Sequence, residues 1–98
     1  MIINLAVNID NPLYEGLSVT MVGGRANLPK ATSDRVLNAV GTAVLAQVNA
    51  CVQRDEVILT GPAPVQIYLV AFHAVVHAFK TVRYQDGRGG DCIVAQHG

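Results

Sequence analysis

Apolar and polar residues alternate through residues 2–8 and again through 16–22, where Leu17, Val19 and Met21 share one side. A period of two predicts a strand for each run. Asp10-Asn11-Pro12 supplies turn chemistry between them, so the two strands are expected to pair antiparallel. Residues 23–29, Gly-Gly-Arg-Ala-Asn-Leu-Pro, read as a loop. Thr32 or Ser33 can cap a helix, and Val36, Leu37, Val40, Val44, Leu45 and Val48 then recur at helical spacing. That pattern predicts an amphipathic helix to about residue 50, locally weakened by Gly41.

After the charged break Arg54-Asp55-Glu56, the run Val57-Ile58-Leu59-Thr60 predicts a short buried strand. Gly61-Pro62-Ala63-Pro64 follows, with Pro64 suited to the first position of a helix reaching about Ala78 and apolar on nearly every face. Residues 80–85 and 92–96 predict two further strands joined by the glycine-rich turn Asp86-Gly87-Arg88-Gly89-Gly90-Asp91. The fold class is therefore α/β, one domain over residues 1–98, in the order β-β-α-β-α-β-β. A mixed sheet carrying two helices, with a hairpin at each end of the chain, satisfies the connection rules.

Composition adds constraints. Hydrophobic residues make up 51% of the chain and charged residues 14%, which favours a homodimer because so apolar a small domain would otherwise leave large patches in water. Seven basic and seven acidic residues cancel, which argues against binding long DNA or RNA by counterion release and leaves a short nucleotide ligand open. Cys51 and Cys92 form no C-x-x-C pair and no disulfide framework, as suits the reducing cytoplasm. The apolar start reads as a strand rather than a signal peptide, and the uncharged run 57–79 is too interrupted by Gly61, Pro62 and Pro64 to span a membrane.

The candidate chemistry lies in the C-terminal third, which holds all three histidines. Gln66, His73 and His77 fall on one helix face, and imidazoles at i and i+4 can share a metal or an anion. Packing or interface histidines are the plain alternative. The loop at Gly61, Pro62 and Ala63 joins a strand's C-terminal end to a helix N-terminus, where open α/β sheets gather phosphate ligands, although a tight turn explains it equally. Asp86-Gly87-Arg88-Gly89 should reach the same edge, with Arg88 able to pair with phosphate, or be only a hairpin tip. His97 ends the last strand, where the plain alternative is a frayed tail.

On the pieces Leu59-Thr60-Gly61-Pro62, His73-Ala74-Val75-Val76-His77, Tyr84-Gln85-Asp86-Gly87-Arg88-Gly89-Gly90 and Ala95-Gln96-His97, the C-terminal half resembles the small manganese-dependent ring nucleases of type III CRISPR systems. The resemblance implies cleavage of the second messenger cyclic tetra-adenylate. Carried over, His77 matches the family's reactive helix histidine, Asp86 and Arg88 its acidic turn, His97 its terminal histidine and His73 a second helix histidine. It also implies a Mn2+ cofactor, for which His77 and His97 are the candidate ligands. The chain departs from the family at the histidine spacing, at Gly87 and Gly89 where the family has Pro and Leu, and at Gln96 where it has Ser. Those departures keep a non-catalytic sensor or sponge of the same fold, and a plain dimeric scaffold, as alternatives.

A geometric consequence follows from the strand assignments. In a hairpin of 80–85 with 92–97, His97 lies opposite Lys80 and near His77, while Asp86 sits six residues away at about 3.3 Å each, roughly 20 Å. One subunit then cannot bring His77, Asp86 and His97 to a single phosphodiester; the resemblance implies a ring held on the turn-bearing face of one dimer beneath the histidine face of a second, stacked into a tetramer or filament. Lys80 and His73 support the histidine edge in that arrangement.

Overall fold

The structure, a computed structural model, describes residues 1–97. Six strands and two helices alternate as β1 (Ile2–Asn4), β2 (Thr20–Val22), β3 (Arg25–Asn27), α1 (Asp34–Asn49), β4 (Glu56–Thr60), α2 (Val65–Val76), β5 (Thr81–Gln85) and β6 (Asp91–Gln96). The β-β-α-β-α-β-β order stands, its second β position being a two-strand ribbon. The main sheet is mixed and ordered β1-β4-β5-β6, with β1, β4 and β5 parallel and β6 antiparallel.

Both crossovers step the same way across the sheet, so two right-handed connections put α1 and α2 on the same face. Alternation then divides the strands cleanly. Ile3, Val57, Leu59 and Val82 are buried in one cluster with Val36, Val40, Val44 and Val48 of α1 and Ile67, Ala71 and Val75 of α2. The opposite face carries exposed Ile2 and an ion-pair chain in which Arg83 bridges Glu56 (2.7 Å) and Asp91 (3.2 Å). Those two hydrogen-bonded carboxylates raise the pKa of the Arg83 guanidinium further above its already high ordinary value.

Ser33 is the N-cap of α1, its Oγ accepting from Val36 N at 3.2 Å. Gly41, a weak point by propensity, faces α2. A β-carbon there would meet Val70 Cγ1 at 3.0 Å. Pro64 stands one residue ahead of α2 as its N-cap, and the helix stops at Val76 with His77 as C-cap, slightly short of the expected end.

The expected antiparallel pairing of the first two strands is corrected. Ile2, Ile3 and Asn4 pair in parallel with Ile58, Leu59 and Thr60, and the N-terminal hairpin is instead Thr20–Val22 against Arg25–Asn27 across Gly23-Gly24. The physical reason lies between them. Asn11 donates from Nδ2 to the carbonyls of Asn4 and Ala6, a short 3-10 turn follows at Pro12–Tyr14, and Tyr14 donates its hydroxyl to the Leu5 carbonyl. These bonds turn the chain away from β1, leaving its edge to β4.

At the other end, β5 and β6 pair with a β-bulge. Val82 faces Ala95 and Thr81 faces Gln96, whereas Arg83 faces Ile93 and Gln85 faces Asp91, leaving Val94 as the extra residue. The uniform register expected from sequence therefore holds toward Lys80 and is one residue out toward the turn.

Candidate functional site at two opposite sheet edges

Parallel strands send their N-terminal ends to one edge of a sheet and their C-terminal ends to the other, and the candidate residues divide accordingly. At the N-terminal edge, His97 N donates to the Lys80 carbonyl at 2.7 Å, which fixes the last histidine against the start of β5. His77, Lys80 and His97 line one open depression of about 390 Å³, together with Arg54 and Phe79. His73 stands one turn back from His77, their rings edge to face with centroids 6.0 Å apart. A second groove of about 800 Å³ between the outer faces of α1 and α2 runs from Leu69 past His73 to His77, so His77 belongs to both.

Arg54 is a member of this edge that sequence reasoning passed over. Its Nε donates to the Cys51 carbonyl at 3.0 Å, its guanidinium lies 5.9 Å from the centroid of Phe79, and its own carbonyl accepts from Lys80 N. The available signal was topological, because residues just before two adjacent parallel strands must share an edge. Lys80 has only a weak, exposed partner in Asp55 at 3.8 Å. The edge therefore presents two basic side chains, Arg54 and Lys80, and the exposed imidazoles of His77 and His97.

Among the described residues, no three His, Cys, Asp or Glu side chains converge to hold a metal ion. His77 and His97 supply two nitrogen donors to one depression, and a hard cation such as manganese favours oxygen for the rest of its shell. Two donors fit a metal only as part of a shell completed by oxygens from outside these side chains.

The C-terminal edge holds the two turns. Thr60 Oγ1 donates to the Gln85 carbonyl at 2.9 Å, tying the end of β4 to the end of β5. Gly61 follows at φ +103°, and a β-carbon there would lie 2.5 Å from Ala6 N and from Asn4 Oδ1. Only glycine allows this approach. Tyr68 donates its hydroxyl to the Gly61 carbonyl and stacks edge-on to Tyr84 at 5.4 Å. Burial first and the Tyr84 hydroxyl second push Tyr68 up to about 12, which keeps it a donor. Pro62 and Ala63 then lead to Pro64 and an N-terminus of α2 that has no side-chain cap.

Asp86 is held in its own turn. Its Oδ1 accepts from Arg88 N at 2.8 Å and from Gly90 N at 2.7 Å, while its backbone N–H donates to the Gly90 carbonyl. The carboxylate thus shapes the loop Gly87-Arg88-Gly89, which leaves the Arg88 guanidinium free of any hydrogen bond or ion pair within the described residues. Asp86 and His97 lie beyond opposite ends of β5, the separation expected from sequence.

No family model matches the chain, and no curated protein or solved structure matches it significantly. No helix among the described residues is long and apolar enough to cross a membrane.

Proposed function

We propose that the protein is a ring nuclease that binds and cleaves cyclic tetra-adenylate, ending type III CRISPR antiviral signalling. The observation that carries this reading is the separation of labour between edges. Anion-receptive turns at Gly61 and Asp86–Arg88 occupy one, and His77, Lys80, Arg54 and His97 occupy the other. A ring held on the turns of one homodimer would meet the histidines of a second dimer stacked above it. A two-fold dimer repeats each contact on a symmetric ligand.

In that composite site one imidazole, His77, takes the proton of the attacking hydroxyl and the other, His97, protonates the departing oxygen. Such proton transfer contributes about 10²- to 10⁴-fold. Lys80 and Arg54 offset the charge gathering on the phosphate. In a metal-assisted form of the reaction, His77 and His97 would instead hold a manganese ion together with substrate oxygens, and the bound ion rather than the imidazoles would offset the phosphate charge. His73 packs edge-on against His77 and positions it.

One observation favours the sponge alternative. Asp86, a catalytic candidate by resemblance, spends Oδ1 on two backbone amides, so it builds the binding turn rather than offering itself to a proton. The deciding experiment incubates the protein with cyclic tetra-adenylate, with and without manganese, and follows linear products by chromatography across protein concentration. A composite nuclease gives product at a rate rising more steeply than protein concentration. Binding without product under both conditions establishes the sponge, and absence of binding leaves only a scaffold.

A further inference from the structure

We infer that the β2–β3 ribbon is a second ligand-binding wall of the turn-bearing edge, with Arg25 as a phosphate ligand and Val22 as a contact for the neighbouring base. The inference rests on the cyclic-nucleotide reading and deepens it.

The ribbon lies beside the Gly61 loop. Between it and the Gly61 loop lies an open cavity of about 450 Å³, walled by Arg25, Asn27 and Leu28 on one side and Pro62 and Ala63 on the other. Val7 N donates to the Pro62 carbonyl at 3.0 Å, and Leu28 is buried in the core, so both walls are anchored. Arg25 has no hydrogen-bond or ion-pair partner among the described residues. It is thus a permanent, unneutralised cation facing a cavity that contains no carboxylate. Cross-strand pairing sets Val22 beside Arg25 on the same face of the ribbon, and Val22 is 63% exposed. An apolar contact next to a free guanidinium suits a nucleotide, whose phosphate and base demand those two surfaces.

The location completes the argument. The ribbon flanks the Gly61 loop on the β1 side, and Arg88 flanks it on the β5–β6 side. Two to three strand spacings of about 4.8 Å put β1 roughly 10–14 Å from β5 and β6, so residues on the two flanks reach separate parts of an extended ligand.

The test measures equilibrium binding of fluorescent cyclic tetra-adenylate at several salt concentrations without divalent cation, to wild type, Arg25→Ala, Arg25→Lys, Val22→Ser and Arg88→Ala. Arg25 is exposed and unbonded, so its variants should fold, as circular dichroism will verify. Loss of one charge-assisted contact weakens binding about tenfold or more and lowers the slope of log affinity against log salt by about 0.7. Arg25→Ala and Arg88→Ala should each do so, Arg25→Lys should restore the slope, and Val22→Ser should weaken binding with the slope unchanged. Wild-type affinity and slope in Arg25→Ala, with Arg88→Ala impaired, overturns the ribbon's role and leaves the nucleotide reading standing. A wild type that binds no ring overturns both.

Discussion

Replacing Gly61 with alanine tests whether the turn-bearing edge is assembled as the structure has it. The new β-carbon would stand 2.5 Å from Ala6 N and from Asn4 Oδ1, a pair already bonded to each other at 2.9 Å. A backbone atom cannot swing aside as a side-chain tip can. Relief therefore displaces the segment held by Leu5 N to the Thr60 carbonyl (2.7 Å) and Val7 N to the Pro62 carbonyl (3.0 Å). An alanine at φ +103° costs about 1–2 kcal/mol by itself. Weakening one or two of these hydrogen bonds adds about 1–2 kcal/mol, for a total near 3. Gly89→Ala is the matched control, because Gly89 also has positive φ, +87°, but nothing within 4 Å of its would-be β-carbon. It should lose only the conformational part, about 1 kcal/mol. In urea titrations, where slopes run about 1–3 kcal/mol per molar, the Gly61 variant should unfold about 1–3 M earlier than wild type and the Gly89 variant about 0.3–1 M earlier, a third of that shift. If the two variants fell within about 0.5 kcal/mol of each other, the close approach of the Gly61 loop to β1 would be refuted.

Three further outcomes are expected. Burial first, and the Tyr68 hydroxyl second, push Tyr14 up to about 12 from its ordinary value of 10.0. The unfolded chain therefore loses this proton first as pH rises, and stability present below pH 10 falls by about 1.4 kcal/mol per unit between pH 10 and 12. Urea midpoints from pH 9 to 12 should fall less steeply in Tyr14→Phe, and parallel pH profiles would contradict the assignment. Ser33→Ala removes the oxygen that accepts from Val36 N and should cost about 1 kcal/mol in the same titration. Asp86→Ala removes the acceptor of two turn amides, so hydrogen exchange at Arg88 and Gly90 should quicken about tenfold or more, with little change in global stability.

The helices and the C-terminal hairpin were legible because their signals are local. The four-residue recurrence Val36, Val40, Val44, Val48 is the buried stripe of α1, and Ser33 announces its start. Val57 and Leu59 are buried as the apolar run implies, although Ile58 between them remains only partly covered because the helices occupy one face alone. The N-terminal third was misread where two local signals competed. Alternation through residues 16–22 suggests a long strand, but only Thr20–Val22 is one, and the Gly23-Gly24 pair that makes its turn carries a loop signal. What turns the chain away from β1 is a set of bonds from Asn11 and Tyr14 to carbonyls at residues 4–6, contacts with no periodic trace.

The same distinction applies to the candidate site. Placing His97 against Lys80, and Asp86 at the far end of β5, needed only strand register. That Asp86 folds back on Arg88 and Gly90 depends on turn geometry over four residues, and that Arg25 comes to lie beside Pro62 depends on tertiary packing over thirty-odd.

The bulge at Val94 sets the phase of the whole end of the chain. Without it, the pairing of Arg83 with Ile93 would continue to Val82 with Val94 and Thr81 with Ala95, and Gln96 would arrive at Lys80. The surplus residue acts as a one-tooth advance in a gear, delivering an imidazole to the depression shared with His77 instead of an amide. A ladder closed without the bulge would leave the strand's length and composition untouched and still exchange the group presented there, whereas deleting Val94 itself would remove the bulge and keep His97 at Lys80. In chains built on this plan, the bulge and the spacing between the glycine-rich turn and the last histidine therefore have to change together.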